Sequence, residues 1–155
     1  MTHVVRPLAP DDAPAVVAVI HAAFSAQERL TTPPPGALGE TAESVRALLE
    51  AGGGAAVEQD GVLAGAVLWR EKEGGLYFGR LAVPPAFRGR GIAHTLIAAA
   101  EEEARRRGLR RVHCGARLAL EGNHRLFRSC GYREFRRPFE EKYGAVVSAD
   151  LQKHL

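Results

Sequence analysis

The sequence predicts one α/β (α+β) domain, a single β-sheet with helices on both faces, and three observations carry that prediction. The chain has 155 residues, about the length of one domain. Apolar residues make up 46% and charged residues 25%, the balance of a folded globular chain rather than a disordered, collagen-like or coiled-coil one. Strand-like and helix-like stretches then alternate in the order βααβββαβαββ, which suits one sheet covered by helices.

His3 to Leu8 reads as the first strand. Asp11-Asp12 caps a helix over Pro14 to Phe24, with proline tolerated in its first turn. Thr41-Ala42-Glu43-Ser44 opens a second helix that ends at Gly52. Ala55 to Gln59 and Val62 to Arg70 flank Asp60-Gly61, a hairpin turn pair. Leu76 to Val83 forms a further strand, stopped by Pro84-Pro85. The longest helix covers about Ile92 to Arg107, with Ile92, Leu96 and Ala99/Ala100 on one face and Gly108 at its C-terminal cap. Along it Glu101/Arg105, Glu102/Arg106 and Glu103/Arg107 stand at i,i+4. Because three acids neutralise three bases, this run is read as a solvated face rather than a nucleic-acid patch. Arg111 to Leu120 is a strand, Asn123 to Ser129 a short helix, and Tyr132 to Phe139 and Ala145 to Leu151 the last two strands. The biased segments Thr31 to Gly36 and Gly52 to Gly54 are loops, so residues 1–155 form one domain.

Several classes fall away. Cys114 and Cys130 lie outside any CxxC or CxxH pair, against a zinc finger or disulfide framework and in favour of a reduced, cytoplasmic setting. No signal peptide is evident at Met1 to Arg6, and the stretch Ala13 to Phe24 is too short to span a bilayer. His21, His94, His113 and His124 share no metal-ligand spacing, so no metal is expected. Charge is uneven: residues 1–80 hold 6 Lys+Arg and 10 Asp+Glu, residues 81–155 hold 15 and 8. The second half calls for an anion, either a nucleic acid or a phosphorylated small molecule.

The informative segment is Leu81-Ala82-Val83-Pro84-Pro85-Ala86-Phe87-Arg88-Gly89-Arg90-Gly91-Ile92-Ala93, a strand, a proline stop and a Gly/Arg turn entering a helix. The first N–H groups of a helix lack intrahelical partners and its dipole favours negative charge there. Gly89 and Gly91 let a phosphate approach the backbone, and Arg88 and Arg90 add charge-assisted bonds. There is no Lys-Ser/Thr after the glycines, which excludes a P-loop. His94 stands where a dinucleotide fingerprint has its third glycine.

Arg88-x-x-Gly91-x-Ala93 resembles the acetyl-CoA signature of the GNAT family of N-acetyltransferases, Arg/Gln-x-x-Gly-x-Gly/Ala, following a strand that ends Leu81-Ala82-Val83. The order of elements matches that family over essentially the whole chain, and Leu126 to Tyr132 resembles its late helix-to-strand segment. The resemblance implies a mixed, splayed sheet and acetyl-CoA as cofactor. The backbone of Leu81, Ala82 and Val83 would pair with the pantetheine arm. The amides from Arg88 through Gly89, Arg90, Gly91, Ile92 and Ala93 to His94 would hold the pyrophosphate. Asn123 and Phe127, on the late helix, would lie beside the thioester.

The implied reaction is attack of a primary amine on a thioester. An amine of pKa about 10.4 is short of its free form near neutrality by ~4 kcal/mol, so a base or water relay must assist. Members with a glutamate base carry it where this chain has Tyr77, and the frequent tyrosine acid corresponds to Phe127, which has no proton to give. Tyr77 and Cys130 are therefore the candidate catalytic side chains, beside a route in which the Val83 amide polarises the carbonyl and water carries protons. Glu28 and Arg29, between the two early helices, are the candidate acceptor-binding residues, and the acidic N-terminal half favours a cationic amine. The acceptor is a small molecule or a protein amine, with no membrane partner, and C-terminal edge strands leave room for a homodimer. Two rival readings stand: a non-catalytic acyl-CoA-binding module, and a basic nucleic-acid-binding domain using Arg105 to Arg111.

Overall fold

Strand pairing starts from the Asp60-Gly61 turn, where both residues adopt positive φ and fold β2 (Gly54–Gln59) back on β3 (Val62–Lys72). In the computed structural model, which describes residues 3–27 and 35–155, this hairpin is extended into a seven-stranded sheet. Its order is β1-β2-β3-β4-β5-β7-β6. The remaining strands are β1 (His3–Pro7), β4 (Gly75–Ala82), β5 (Arg111–Arg117), β6 (Arg133–Arg136) and β7 (Ser148–His154). All named pairings are antiparallel except β4 with β5, which run parallel and are paired only at Leu76↔Val112 and Tyr77↔His113.

Beyond those two pairs β4 and β5 part, and a bulge explains why. Ala66 of β3 faces Ala82, while Leu68 faces Gly79, so β4 holds one residue more than its partner. Arg80 absorbs the excess at φ 51°. A bulge of this kind bends its strand and sharpens the local twist. The sheet is thus mixed and splayed, as the family resemblance implies.

Helices α1 (Ala13–Ser25) and α2 (Ala42–Ala51) bury Val16, Ile20, Val45 and Leu49 against Ala56, Ala66 and Leu68 on one face. Helix α3 (Ile92–Arg106) buries Ile92, Leu96 and Ile97 on the other, each such side chain contributing ~1.5–3 kcal/mol. Helix α4 (Glu121–Ser129) adds Phe127, whose ring meets Phe78 and Tyr132 edge-on at 5.8 and 6.4 Å. Among the described residues no helix is long and apolar enough to cross a membrane.

Four expectations need correction. Asp12 does not cap α1: its carboxylate accepts from the Ala9 amide at 2.7 Å and from Arg6 at 2.9 and 3.0 Å, and the Arg6 bonds draw it below the usual carboxylate range. The last strand covers Ser148–His154 rather than Ala145 to Leu151, because its register with β5 runs from Arg117↔Ser148 to Arg111↔His154. Strand β6 is confined to Arg133–Arg136, and Tyr132 before it is fully buried. Finally, Glu101 is not on the solvated face. It lies four residues after Ile97 and three before Ala104, is 8% exposed, and accepts from the Tyr132 hydroxyl at 2.9 Å and from Lys153 Nζ at 3.2 Å. Of the three i,i+4 pairs only Glu103–Arg107 forms, at 2.6 Å; Glu103 also takes Arg106, and Glu102 takes Arg105.

Candidate active site

The splay between β4 and β5 opens a cleft, and the chain leaving β4 builds one of its walls. After Ala82 the prolines turn the backbone through a short 3-10 turn (Pro85–Phe87) into Arg88-Gly89-Arg90-Gly91. Gly89 and Gly91 have φ of 78° and 76°. A Cβ at either would meet nothing within 4 Å, so glycine is required by conformation rather than space, at ~1–2 kcal/mol for an ordinary L-residue. Gly91 is the N-cap of α3 and offers no side-chain acceptor. Its carbonyl takes the amide and the hydroxyl of Thr95, each at 3.1 Å. The first amides of α3 thus lack intrahelical acceptors. Their residues, Ile92, Ala93 and His94, line a cavity of about 550 Å³ together with Gly89, Gly91 and Arg88.

The two arginines stand differently from what their spacing suggested. Arg88 Nε donates to the Val83 carbonyl at 3.0 Å and Nη2 to the Ala23 carbonyl at 3.2 Å, so the side chain ties the end of β4 to the end of α1. Arg90 lies outside the cavity lining; it donates to Gln59 Oε1 at 3.0 Å and sits 5.6 Å from the centre of the Phe87 ring. Ala82, 1% exposed, packs into the core beneath α1 and lines neither cavity described here. Leu81 and Val83 do line the cavity.

A second cavity, about 470 Å³, opens on the far side of Leu81. Gln27, Leu81, Leu120 and Asn123 line both, so the two meet where the strands part. Tyr77 borders the second one. Its ring lies close to Gly79 and Gly115, where an added Cβ would come within 3.6 and 3.8 Å of the phenol oxygen. Burial pushes the Tyr77 phenol above its ordinary pKa, which keeps it a proton donor near neutrality. Phe127, expected beside the thioester, borders this second cavity through a ring that is 4% exposed.

Other predicted residues are not brought to the cleft. Cys130 lines neither cavity; it follows α4 near Glu101 and Lys153, and burial pushes its thiol up. It has neither the position nor the acidity of a reactive cysteine. His113 Nε2 donates to the Lys72 carbonyl at 2.8 Å, and burial lowers its pKa. His124 is held by the Arg117 carbonyl at 2.9 Å. Glu28 and Arg29 lie outside the described residues. No cluster of metal-ligating side chains occurs among the described residues. The residues that sequence reasoning missed, Arg117, Leu120, Tyr143 and Asp150, come from the end of β5, the turn after it, the segment leading into β7 and β7 itself; no local spacing marks them.

Residues 21–132 match the family model described as the acetyltransferase (GNAT) family. An acetyltransferase of Agrobacterium fabrum is 49% identical over 49 residues, 32% of this chain, and the match spans only 36% of that protein. The PaiA N-acetyltransferase of Thermoplasma acidophilum, solved in complex with coenzyme A, superposes with a TM-score of 0.82 at 12% identity, with all of both chains covered. The ribosomal-protein-S18-alanine N-acetyltransferase of Escherichia coli gives 0.75 at 16% identity over 99% of this chain and 94% of that one. Identities this low establish the shared fold.

Proposed function

The chain belongs to the acetyltransferase (GNAT) family, and from that premise we propose that the two cavities are the two arms of one active site, in which an acceptor amine takes the acetyl group of acetyl-CoA directly. The observation that carries this reading is their meeting at Leu81, Leu120 and Asn123. A donor lying along the first cavity and an acceptor entering through the second would come together only there. Alignment of this kind supplies several kcal/mol of a bimolecular barrier.

The residues present fit the donor. The positive-φ glycines and the uncapped start of α3 form a backbone cradle for a diphosphate, and the first cavity has the volume of a ligand site. Acetyl-CoA supplies the thioester: the acceptor nitrogen forms the new C–N bond as the C–S bond breaks, the sulfur leaving as thiolate and the ammonium proton passing to solvent. Since the Val83 carbonyl already accepts from Arg88, the amide is the Val83 group suited to a thioester oxygen, which needs a donor. Tyr77 acts from the acceptor side as a neutral phenol that donates a hydrogen bond. The leaving thiolate, with a pKa near 8.5, needs little acid help, which is consistent with Phe127 standing where relatives use a tyrosine.

The test is CoA thiol release from acetyl-CoA with a panel of primary amines, alongside direct measurement of CoA binding. Turnover with at least one amine is expected. Tight CoA binding without turnover on any amine would instead establish a non-catalytic acyl-CoA-binding module.

A further inference from the structure

Resting on that reading of the second cavity as the acceptor's, we propose that the acceptor nitrogen is seated above Gly115, where it donates N–H groups to Asp150 Oδ1 and to the Tyr77 hydroxyl oxygen. Gly115 lies two residues past His113, which forms the last β4–β5 pair with Tyr77. It is thus the first position on this face of β5 beyond the point where the strands part, and it is exposed. A Cβ built there would lie 3.6 Å from Asp150 Oδ1 and 3.8 Å from Tyr77 Oη. The missing side chain leaves a methyl-sized space bordered by a carboxylate oxygen and a phenol oxygen. All three residues line the second cavity.

Both oxygens are open to a ligand. Asp150 faces Gly115 across the β5–β7 ladder, and its other oxygen, Oδ2, accepts from Arg136 Nε at 2.7 Å. That bond holds the carboxylate in place while Oδ1 takes no hydrogen bond from any described residue. Tyr77 Oη likewise has no hydrogen-bond partner among the described residues. Arg136 is shared with Glu73 at 3.1 Å, so two carboxylates stand against one guanidinium. An N–H bond to a carboxylate is charge-assisted, and a neutral phenol accepts one hydrogen bond while donating its own, so the seat agrees with Tyr77 as a donor. Cationic side chains, Lys72 and Arg80 among them, border the same cavity. The seat therefore recognises an amine by its N–H groups and small size rather than by net charge. A carboxylate is a far weaker base than an amine, so Asp150 orients the nitrogen and the proton lost on attack goes to solvent.

The experiment follows amide chemical shifts of the isotope-labelled protein, with CoA present and absent, during titration with pairs of amines matched in charge. The pairs are ethanolamine and choline, phenethylamine and its N,N,N-trimethyl derivative, and glycinamide and its N,N,N-trimethyl derivative. The quaternary members have no N–H and are too bulky for the seat. The primary amine of at least one pair is expected to bind about tenfold or more tighter than its partner, with shifts at the Gly115 and Asp150 amides. Gly115→Ala fills the seat with a methyl group at ordinary van der Waals distances, and without backbone strain because this glycine does not use positive φ. It is expected to bring the ratio near one, and Asp150→Asn to lower it about threefold or more. CoA affinity, read separately, is expected to stay unchanged in both. A merely structural role would weaken both members of a pair alike and leave their ratio where it was. Equal or absent binding within every pair, or a ratio that survives either substitution, overturns the proposal. The titration needs no turnover, so a failure of acetyl transfer to every amine would count against the catalytic reading and leave this one to the binding ratios.

Discussion

Arg88 Nε donates to the carbonyl of Val83 at 3.0 Å, so an arginine of the acetyl-CoA signature also braces the strand end that borders the first cavity. With its second bond, to Ala23, it holds β4 and α1 in place around the site. Removing it by Arg88→Ala is expected to weaken CoA binding about tenfold or more, while the denaturation midpoint moves little because the side chain is exposed. Gly91→Asp is expected to weaken binding further than Gly91→Ala: aspartate adopts positive φ more readily, but it brings a negative charge to an anion site. Calorimetry with CoA checks both, and an unchanged dissociation constant in all three variants would remove the cradle.

The buried Tyr132–Glu101–Lys153 group gives a stability prediction. Glu101→Ala strands the Lys153 ammonium and the Tyr132 hydroxyl and is expected to cost ~3 kcal/mol. Tyr132→Phe deletes one bond to a charged acceptor and should cost ~1.5 kcal/mol. Urea unfolding measures both. Equal, negligible losses would mean that the group contributes nothing to the fold.

His113 sets a pH dependence. Burial lowers its pKa in the folded protein, so the unfolded chain takes up the proton first as pH falls. Its contribution is therefore complete above the unfolded value of about 6.5 and declines below it, toward and past the lower folded value. Unfolding free energies followed from pH 8 down to about 5 should fall more steeply in the parent protein than in His113→Gln. Parallel curves would show that the histidine is not the titrating group.

Tyr77→Phe keeps the ring and removes the hydroxyl that lies near Gly79 and Gly115. A roughly three- to tenfold loss of kcat is expected, with CoA affinity kept and the shape of the pH–rate profile unchanged, since a phenol whose pKa is raised does not titrate in the working range. A displaced pH optimum would contradict the assignment of Tyr77 as a neutral donor.

The turn proposed as a cradle was legible because all its parts are local. A strand stop, two glycines that must take positive φ and a helix start fall within one short stretch, and backbone chemistry dictates what such a stretch can bind. The sheet's splay was legible only through family resemblance, because the Arg80 bulge has no marker in spacing. Glu101 was misread from its i,i+4 relation to Arg105, although its place between Ile97 and Ala104 on the same helical face carried the opposite signal. Its partners Tyr132 and Lys153 come from other elements, and no periodicity announces such a meeting. The second cavity was illegible for the same reason: Arg117, Lys142, Tyr143 and Asp150 are assembled by the pairing of β5 with β7. The register of β7 was set by that pairing and not by its own apolar run.

The central claim is that the turn from Arg88 to Gly91 holds the diphosphate of CoA and directs its sulfur to the junction at Leu81 and Asn123. A crystal structure of the CoA complex tests it most directly. The account predicts phosphate oxygens within hydrogen-bonding distance of the amides between Gly89 and His94, and the thiol beside Leu81. A diphosphate bound elsewhere, with those amides left to solvent, would contradict it.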